Sequence, residues 1–200
     1  MIKTNLLSGA LGAEITGIDL KDSTTENWNK INNLLLEHKA LFFRNQDISS
    51  EEQINLAKHF GPLEKHIYVK GREEYPEILR IIKEPDEKHQ WGETWHTDVS
   101  YNPKPTKVII LRSLKIPPVG GDTMFSNMEI AYETLEDKIK DKIKEDRKKA
   151  PIQAPWEIIS CYKLIVAAVV ICIRQPGTLH QELSPTKTSL LLIKPPRGWW

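Results

Sequence analysis

The sequence contains little cysteine and no long apolar segment. Its 200 residues include only two cysteines, Cys161 and Cys172, which excludes a disulfide framework of the kind that holds small secreted domains together. The longest apolar run, residues 164–173, has only ten residues and is too short to cross a lipid bilayer. A chain of this length can form one domain with its own core.

The sequence also lacks an excess of charge of either sign. Its formal net charge is +1, so no overall field attracts the chain to nucleic acid or to an anionic membrane. The opening residues, MIKTN, lack the apolar stretch of a secretory signal. These absences predict a soluble, cytoplasmic protein that binds neither nucleic acid nor a membrane.

Acidic residues are nearly absent from the last quarter of the chain. Only two of the 27 acidic residues, Glu157 and Glu182, lie after residue 150, whereas three of the six tryptophans lie there. Residues 151–200 show no helical or alternating apolar period. We therefore predict that residues 151–200 form a tail outside the fold that the preceding residues encode. A loop-rich end of the same domain is the alternative.

Strand and helix patterns are interspersed along residues 1–150. Helix-capping patterns at residues 23–26, 50–53 and 126–129 predict three helices, the third of which continues through Ile143. Because the patterns do not follow a regular strand–helix–strand rhythm, they indicate an α+β domain. Apolar runs and alternations predict strands at residues 10–20, 40–43, 78–82, 108–111 and 123–125.

The residues best suited to chemistry are His96 and Asp98. Side chains at positions i and i+2 of an extended segment point to the same side, so both could bind one metal ion. With a distant histidine added, the pair would give a set of two imidazoles and one carboxylate. Such a set suits iron(II), because it leaves coordination positions open for a co-substrate and oxygen. The alternative for so short a motif is a surface histidine or one held by a hydrogen bond.

A glycine-rich turn follows this motif. Gly120 and Gly121 permit a tight turn, after which Thr123 can present its hydroxyl toward the His96 and Asp98 side chains. A plain hairpin turn would have the same sequence, so the turn alone does not establish a site.

Five segments in this order resemble the taurine dioxygenase family, from about residue 8 to about residue 145. They are GAEITGIDL (12–20), LFFRNQ (41–46), HFGPL (59–63), WHTDVSY (95–101) and GGDT (120–123). The resemblance implies an iron(II)- and 2-oxoglutarate-dependent dioxygenase that oxidises a small organic acid such as a sulfonate. It also implies a double-stranded β-helix (jelly roll) core with flanking helices. Residues 1–150 would be the N-terminal portion of such a domain, and residues 151–200 a divergent tail.

Site roles follow from the resemblance residue by residue. His96 and Asp98 would be iron ligands, Thr123 would bond a carboxylate of 2-oxoglutarate, and His66 would contact the substrate's sulfonate. For His66 an exposed loop histidine is an equally good interpretation, because its flanking residues differ from the family pattern. We expect Trp95 to pack beside the metal. The implied partners are a small-molecule substrate and O2, and a homo-oligomer is left open.

The sequence lacks the distal part of the family pattern. The family needs a second iron-binding histidine, followed shortly by an arginine that binds 2-oxoglutarate through two parallel hydrogen bonds. The only histidine after Asp98 is His180, and Arg197 follows it at a wider gap than the family uses. We therefore expect an incomplete jelly roll, and the alternative function is an incomplete or degenerate relative without activity. A zinc hydrolase is a weaker alternative because no further His, Cys or Glu stands at zinc-site spacing.

Overall fold

The computed structural model of the chain describes residues 1–22, 24–84, 86–88, 95–99, 106–117, 123–149, 169–174 and 186–193. Within them lie eight strands and four helices. The strands are β1 (Lys3–Leu6), β2 (Ala13–Thr16), β3 (Ala40–Phe43), β4 (Leu63–Glu64), β5 (Ile78–Lys83), β6 (Val108–Lys115), β7 (Val169–Arg174) and β8 (Thr186–Ile193). The helices are α1 (Thr25–His38), α2 (Ser50–Lys58), α3 (Met128–Glu133) and α4 (Asp137–Lys149).

The described strands form one mixed sheet. Its order is β1-β2-β3-β7-β6-β8-β4, and β5 also pairs with β8. Strand β7 is parallel to both of its neighbours, β3 and β6, whereas β8 is antiparallel to β4, β5 and β6. Helix α1 contacts β3 and β7, and α2 contacts β8. A mixed sheet with helices agrees with the predicted α+β class. No helix in the described ranges is both long and apolar enough to cross a bilayer.

The main core lies between the sheet and helices α1 and α2. Ile31 and Leu35 of α1 are almost fully buried, as are Leu41 and Phe43 of β3 and Ile110 of β6, and all five belong to one apolar cluster. Burying a side chain of this size stabilises a fold by roughly 1.5–3 kcal/mol. This cluster therefore accounts for a large share of the stability. We call it the helix-side core.

A smaller cluster lies on the other face of the sheet. Because successive side chains of a strand point to opposite faces, Ile109 of β6 cannot share the helix-side core with its neighbours Val108 and Ile110. Ile109 instead packs with Leu79 and Val99. Ile81, Leu111 and Phe125 are partly buried against these three residues. We call this second cluster the site-side cluster, since Val99 directly follows Asp98.

All three predicted helix starts are displaced by one residue, the third from Ser126 to Asn127. Ser23 lies outside the described residues, and α1 is capped by Thr24, whose hydroxyl accepts a hydrogen bond from the Asn27 N–H at 3.3 Å. Helix α2 has its capping box at Ser49 and Glu52, with hydrogen bonds of 3.1 and 2.6 Å, rather than at residues 50–53. The reason is that Gln53 is fully buried on the core face and its side chain cannot turn back to cap the helix.

The predicted third helix is wrong in its extent. It is divided into α3, which is capped by Asn127, and α4. Between them the Thr134 hydroxyl donates to the carbonyl oxygens of Ile130 and Ala131, at 2.9 and 3.1 Å. Such side-chain bonds to backbone oxygens compete with helix continuation. The predicted strand at residues 123–125 is also wrong, because this segment is irregular and its Phe125 packs edge-on against Phe42.

Residues 169–174 and 186–193 form strands that the sequence pattern does not predict. Strand β7 pairs Ile171 with Leu41 of β3 on one side and with Ile110 of β6 on the other. Strand β8 pairs along most of β6 and β5. The division of the chain near residue 150 stays a prediction, because strand pairing does not decide where the family's domain ends.

Candidate metal centre

His96 and Asp98 lie next to each other in space. They belong to the irregular segment 95–99, in the stretch of chain between β5 and β6. The distance from His96 Nε2 to Asp98 Oδ1 is 3.3 Å, with the imidazole 51% and the carboxylate 33% exposed. The two groups are therefore close to each other and also open to solvent.

The pair fits two neighbouring positions around a metal ion. Ligand atoms at right angles, each about 2.1 Å from a metal, are about 3.0 Å apart, close to the separation of these two atoms. An imidazole and a carboxylate are also two of the three ligands in the facial set that binds iron(II). Within the described ranges, no group of three or more His, Cys, Asp or Glu residues gathers to hold a metal. His180 and Arg197, considered above for the distal motif, lie outside these ranges.

Trp95 does not pack beside the pair as expected. Its side chain is 69% exposed. In segment 95–99 the buried side chain is that of Val99, which is only 5% exposed and joins the site-side cluster. The burial of Val99 could not be predicted from the sequence, because no periodic apolar pattern surrounds it.

Thr123 starts the segment that leads to α3. Its side chain is exposed, while residues 120–122, the rest of the predicted turn, lie outside the described residues. Phe125, two positions further on, packs against the site-side cluster that also contains Val99. Thr123 and Asp98 are therefore both within two residues of members of one small cluster, on the same face of the sheet.

His66 lies in the loop between β4 and β5. Its Nδ1 atom accepts hydrogen bonds from the backbone N–H groups of Tyr68 and Val69, at 3.2 and 3.0 Å. A nitrogen that accepts two hydrogen bonds carries a lone pair, so the neutral imidazole has its proton on Nε2. The loop thus fixes the tautomer that can donate from Nε2 to another group.

An apolar recess lies near Phe125. The cavity has a volume of about 340 Å³ and is lined by residues that include Leu7, Leu11, Phe42, Phe125 and Asn127. Phe42 lies between Leu41 and Phe43 on β3, and it therefore points away from the helix-side core. The recess is on the site side of the sheet, and sequence patterns gave no indication of it.

The fold and the pair together define an α+β domain with a candidate iron centre on one face of a mixed sheet. Residues 3–156 match the family described as "Taurine catabolism dioxygenase TauD, TfdA family". The chain therefore belongs to this family, as its motifs predict. Alpha-ketoglutarate-dependent dioxygenases of the family use iron(II) and 2-oxoglutarate.

Individual relatives match the same part of the chain. An alkylsulfatase of Acinetobacter baylyi is 41% identical over 67% of this chain and 42% of its own length. An (S)-phenoxypropionate/alpha-ketoglutarate-dioxygenase of Sphingobium herbicidovorans is 32% identical, over 67% of this chain and 48% of its own length. A crystal structure of a taurine dioxygenase from Burkholderia xenovorans is 30% identical, with a TM-score of 0.62, over 71% of this chain and 50% of that one. The chain thus spans half the length of these relatives or less.

Proposed function

We propose that this chain is an iron(II)- and 2-oxoglutarate-dependent dioxygenase that oxidises a small organic acid such as a sulfonate. The observation that supports this most directly is the 3.3 Å separation of His96 Nε2 and Asp98 Oδ1, inside the part of the chain that matches the family. In this proposal residues 1–150 contain the family domain's first part and residues 151–200 are a divergent tail. The domain has a jelly-roll core, and the protein works in the cytoplasm, without nucleic acid or membrane.

Each proposed site residue has a separate task. His96 and Asp98 hold the iron, and the Thr123 hydroxyl donates a hydrogen bond to a carboxylate of 2-oxoglutarate. Iron with 2-oxoglutarate and O2 supplies the oxidising chemistry, in which the co-substrate becomes succinate and carbon dioxide. The protein side chains bind and orient these molecules.

His66 has the properties needed to bind an anionic substrate. With Nδ1 engaged by two backbone N–H groups, its Nε2–H remains the ring's donor in the neutral form. Sulfonates, sulfate esters and carboxylates all present oxygen atoms that accept such a bond. Two relatives, an alkylsulfatase and an (S)-phenoxypropionate dioxygenase, are named for substrates that are anions.

A second candidate is an incomplete relative without catalytic activity. It is supported by the absence of a third ligand near the pair in the parts of the chain that the structure describes. Two ligands hold a metal less firmly than three. This candidate predicts weak metal binding and no turnover.

Succinate release distinguishes the two candidates. The full chain would be incubated with iron(II), 2-oxoglutarate and a panel of alkyl sulfates, sulfonates and aryloxy acids, beside a His96→Ala control. Succinate formation above the control, dependent on one substrate class, is the expected result for the dioxygenase. Equal, low succinate in both samples, from protein that is folded by circular dichroism, would favour the inactive relative.

A further inference from the structure

Val99 has a backbone conformation that is unusual for its residue type. Its φ angle is 54°, in the left-handed region. A side chain branched at Cβ is disfavoured there, and such a residue persists only where its surroundings hold it. The two other non-glycine residues with positive φ, among those described, are Lys39 and Asn45, neither of which is branched at Cβ.

The surroundings that hold Val99 belong to the sheet. Its side chain is 5% exposed and packs with Leu79 of β5 and Ile109 of β6, whereas His96 and Asp98 in the same segment are substantially exposed. Val99 is therefore the buried member of segment 95–99. The distance between the two candidate ligands depends on a segment that is attached to the sheet at this residue.

We propose that Val99 is a positioning residue of the metal centre. Its side chain, packed against Leu79 of β5 and Ile109 of β6, holds the left-handed turn after Asp98 and so keeps the Asp98 carboxylate beside the His96 imidazole. The part of this inference that concerns metal binding rests on the proposed function. The part that concerns the position of the backbone does not. A residue that served only general packing would affect the stability of the whole domain and not the pair in particular.

Three substitutions at position 99 distinguish an effect of the side chain from an effect of the backbone conformation. Val99→Ala and Val99→Gly both remove the anchor, while glycine adopts a positive φ without strain. Val99→Ile keeps a Cβ-branched apolar side chain. Ile81→Ala is the matched control, because Ile81 packs on the same cluster from β5 but is not part of the ligand segment.

The first measurement is the affinity of the full chain for Mn²⁺, titrated by electron paramagnetic resonance. We expect Val99→Ala and Val99→Gly to weaken binding at least about 10-fold, comparable to the loss of a group that orients a metal ligand. Val99→Ile and Ile81→Ala should stay within about two-fold of wild type, well below the 10-fold that corresponds to 1.4 kcal/mol. If Val99→Gly binds Mn²⁺ as tightly as wild type, only the backbone conformation matters and the proposal is overturned. The same holds if Ile81→Ala loses as much affinity as Val99→Ala.

The second measurement needs no metal. In ¹⁵N relaxation, backbone order parameters at residues 96–98 should fall from about 0.85 to below about 0.6 in Val99→Ala, and remain high in Ile81→Ala. Unchanged order in Val99→Ala would overturn the proposal. If wild type binds no Mn²⁺ but Val99→Ala loses order at these residues, the proposed function fails while the anchoring role of Val99 is upheld.

Discussion

The two faces of the sheet differ in how many described side chains are buried on each. Among the residues whose burial the structure describes, the helix-side core includes fifteen apolar residues and draws on α1, α2 and several strands, whereas the site-side cluster includes three. The candidate ligands are attached to the smaller cluster. We therefore expect one face to provide most of the stability and the other to carry the candidate site, whose parts can then be changed without unfolding the domain.

The largest expected effect is on the helix-side core. Leu41 is fully buried on β3, between β2 and β7. Leu41→Ala should lower the free energy of unfolding by about 2–5 kcal/mol, because it removes buried methyl groups and leaves a cavity. Leu111→Ala, in the partly buried margin of the site-side cluster, is the comparison and should cost clearly less. Urea unfolding of both variants measures the difference, and equal losses would contradict the division between the two faces.

The second prediction concerns the ligands. His96→Ala or Asp98→Ala should weaken Mn²⁺ binding more than about 100-fold, since even groups behind a ligand contribute 10–100-fold. The melting temperature of the metal-free protein should change little, because both side chains are substantially exposed. His66→Ala serves as the control and should leave metal affinity unaltered. Metal binding that survives both ligand substitutions would remove the basis for the proposed function.

Much of the helix-covered half could be predicted from sequence. Strands β3, β5 and β6 are short apolar runs, and α1 and α2 have capping residues with an apolar face, so local patterns suffice. The exact cap was wrong where two hydroxyl residues adjoin, as at Ser49 and Ser50, because tertiary packing of Gln53 decides between them. Strands β7 and β8 were missed because long-range pairing, rather than a local period, defines them.

The sequence predicts which side chains of the candidate site could bind a metal, but not the packing that holds their segment on the sheet. The spacing of His96 and Asp98 suggests that they share a side, and the structure brings their atoms together, although their role as ligands stays a prediction. The conformation of Val99 is the opposite case. No propensity favours a left-handed valine, so only its packing against Leu79 and Ile109 in the folded chain could reveal it.

The third prediction tests a local contribution to the helix-covered half. The Ser49 hydroxyl and the Glu52 carboxylate cap α2 reciprocally, and the hydrogen bond from the Ser49 N–H is the main cause of a lowered Glu52 pKa. Ser49→Ala should cost about 1 kcal/mol of unfolding free energy, as is typical of a lost helix cap. Ser49→Thr, which keeps a hydroxyl at the capping position, tests whether the effect belongs to the capping hydroxyl. If Ser49→Thr destabilised the protein as much as Ser49→Ala, the capping assignment would be wrong.

The smallest effect concerns pH. The rings of His59 and Trp28 stack at a centroid distance of 4.6 Å, and desolvation lowers the pKa of His59 below its usual value. The unfolded chain then binds the proton more readily than the folded one, so this contribution to stability is fully present above about pH 6.5 and is lost as the pH falls toward the folded-state pKa. His59→Gln should therefore reduce the loss of stability between pH 7 and pH 5.5, a range in which most carboxylates stay ionised. The change will be small because His59 is exposed to solvent on one side, which screens the charge. Urea unfolding of both proteins at the two pH values measures this change. If the free energy of unfolding falls equally in both proteins, the stacked ring does not contribute to the acid sensitivity of this half of the fold.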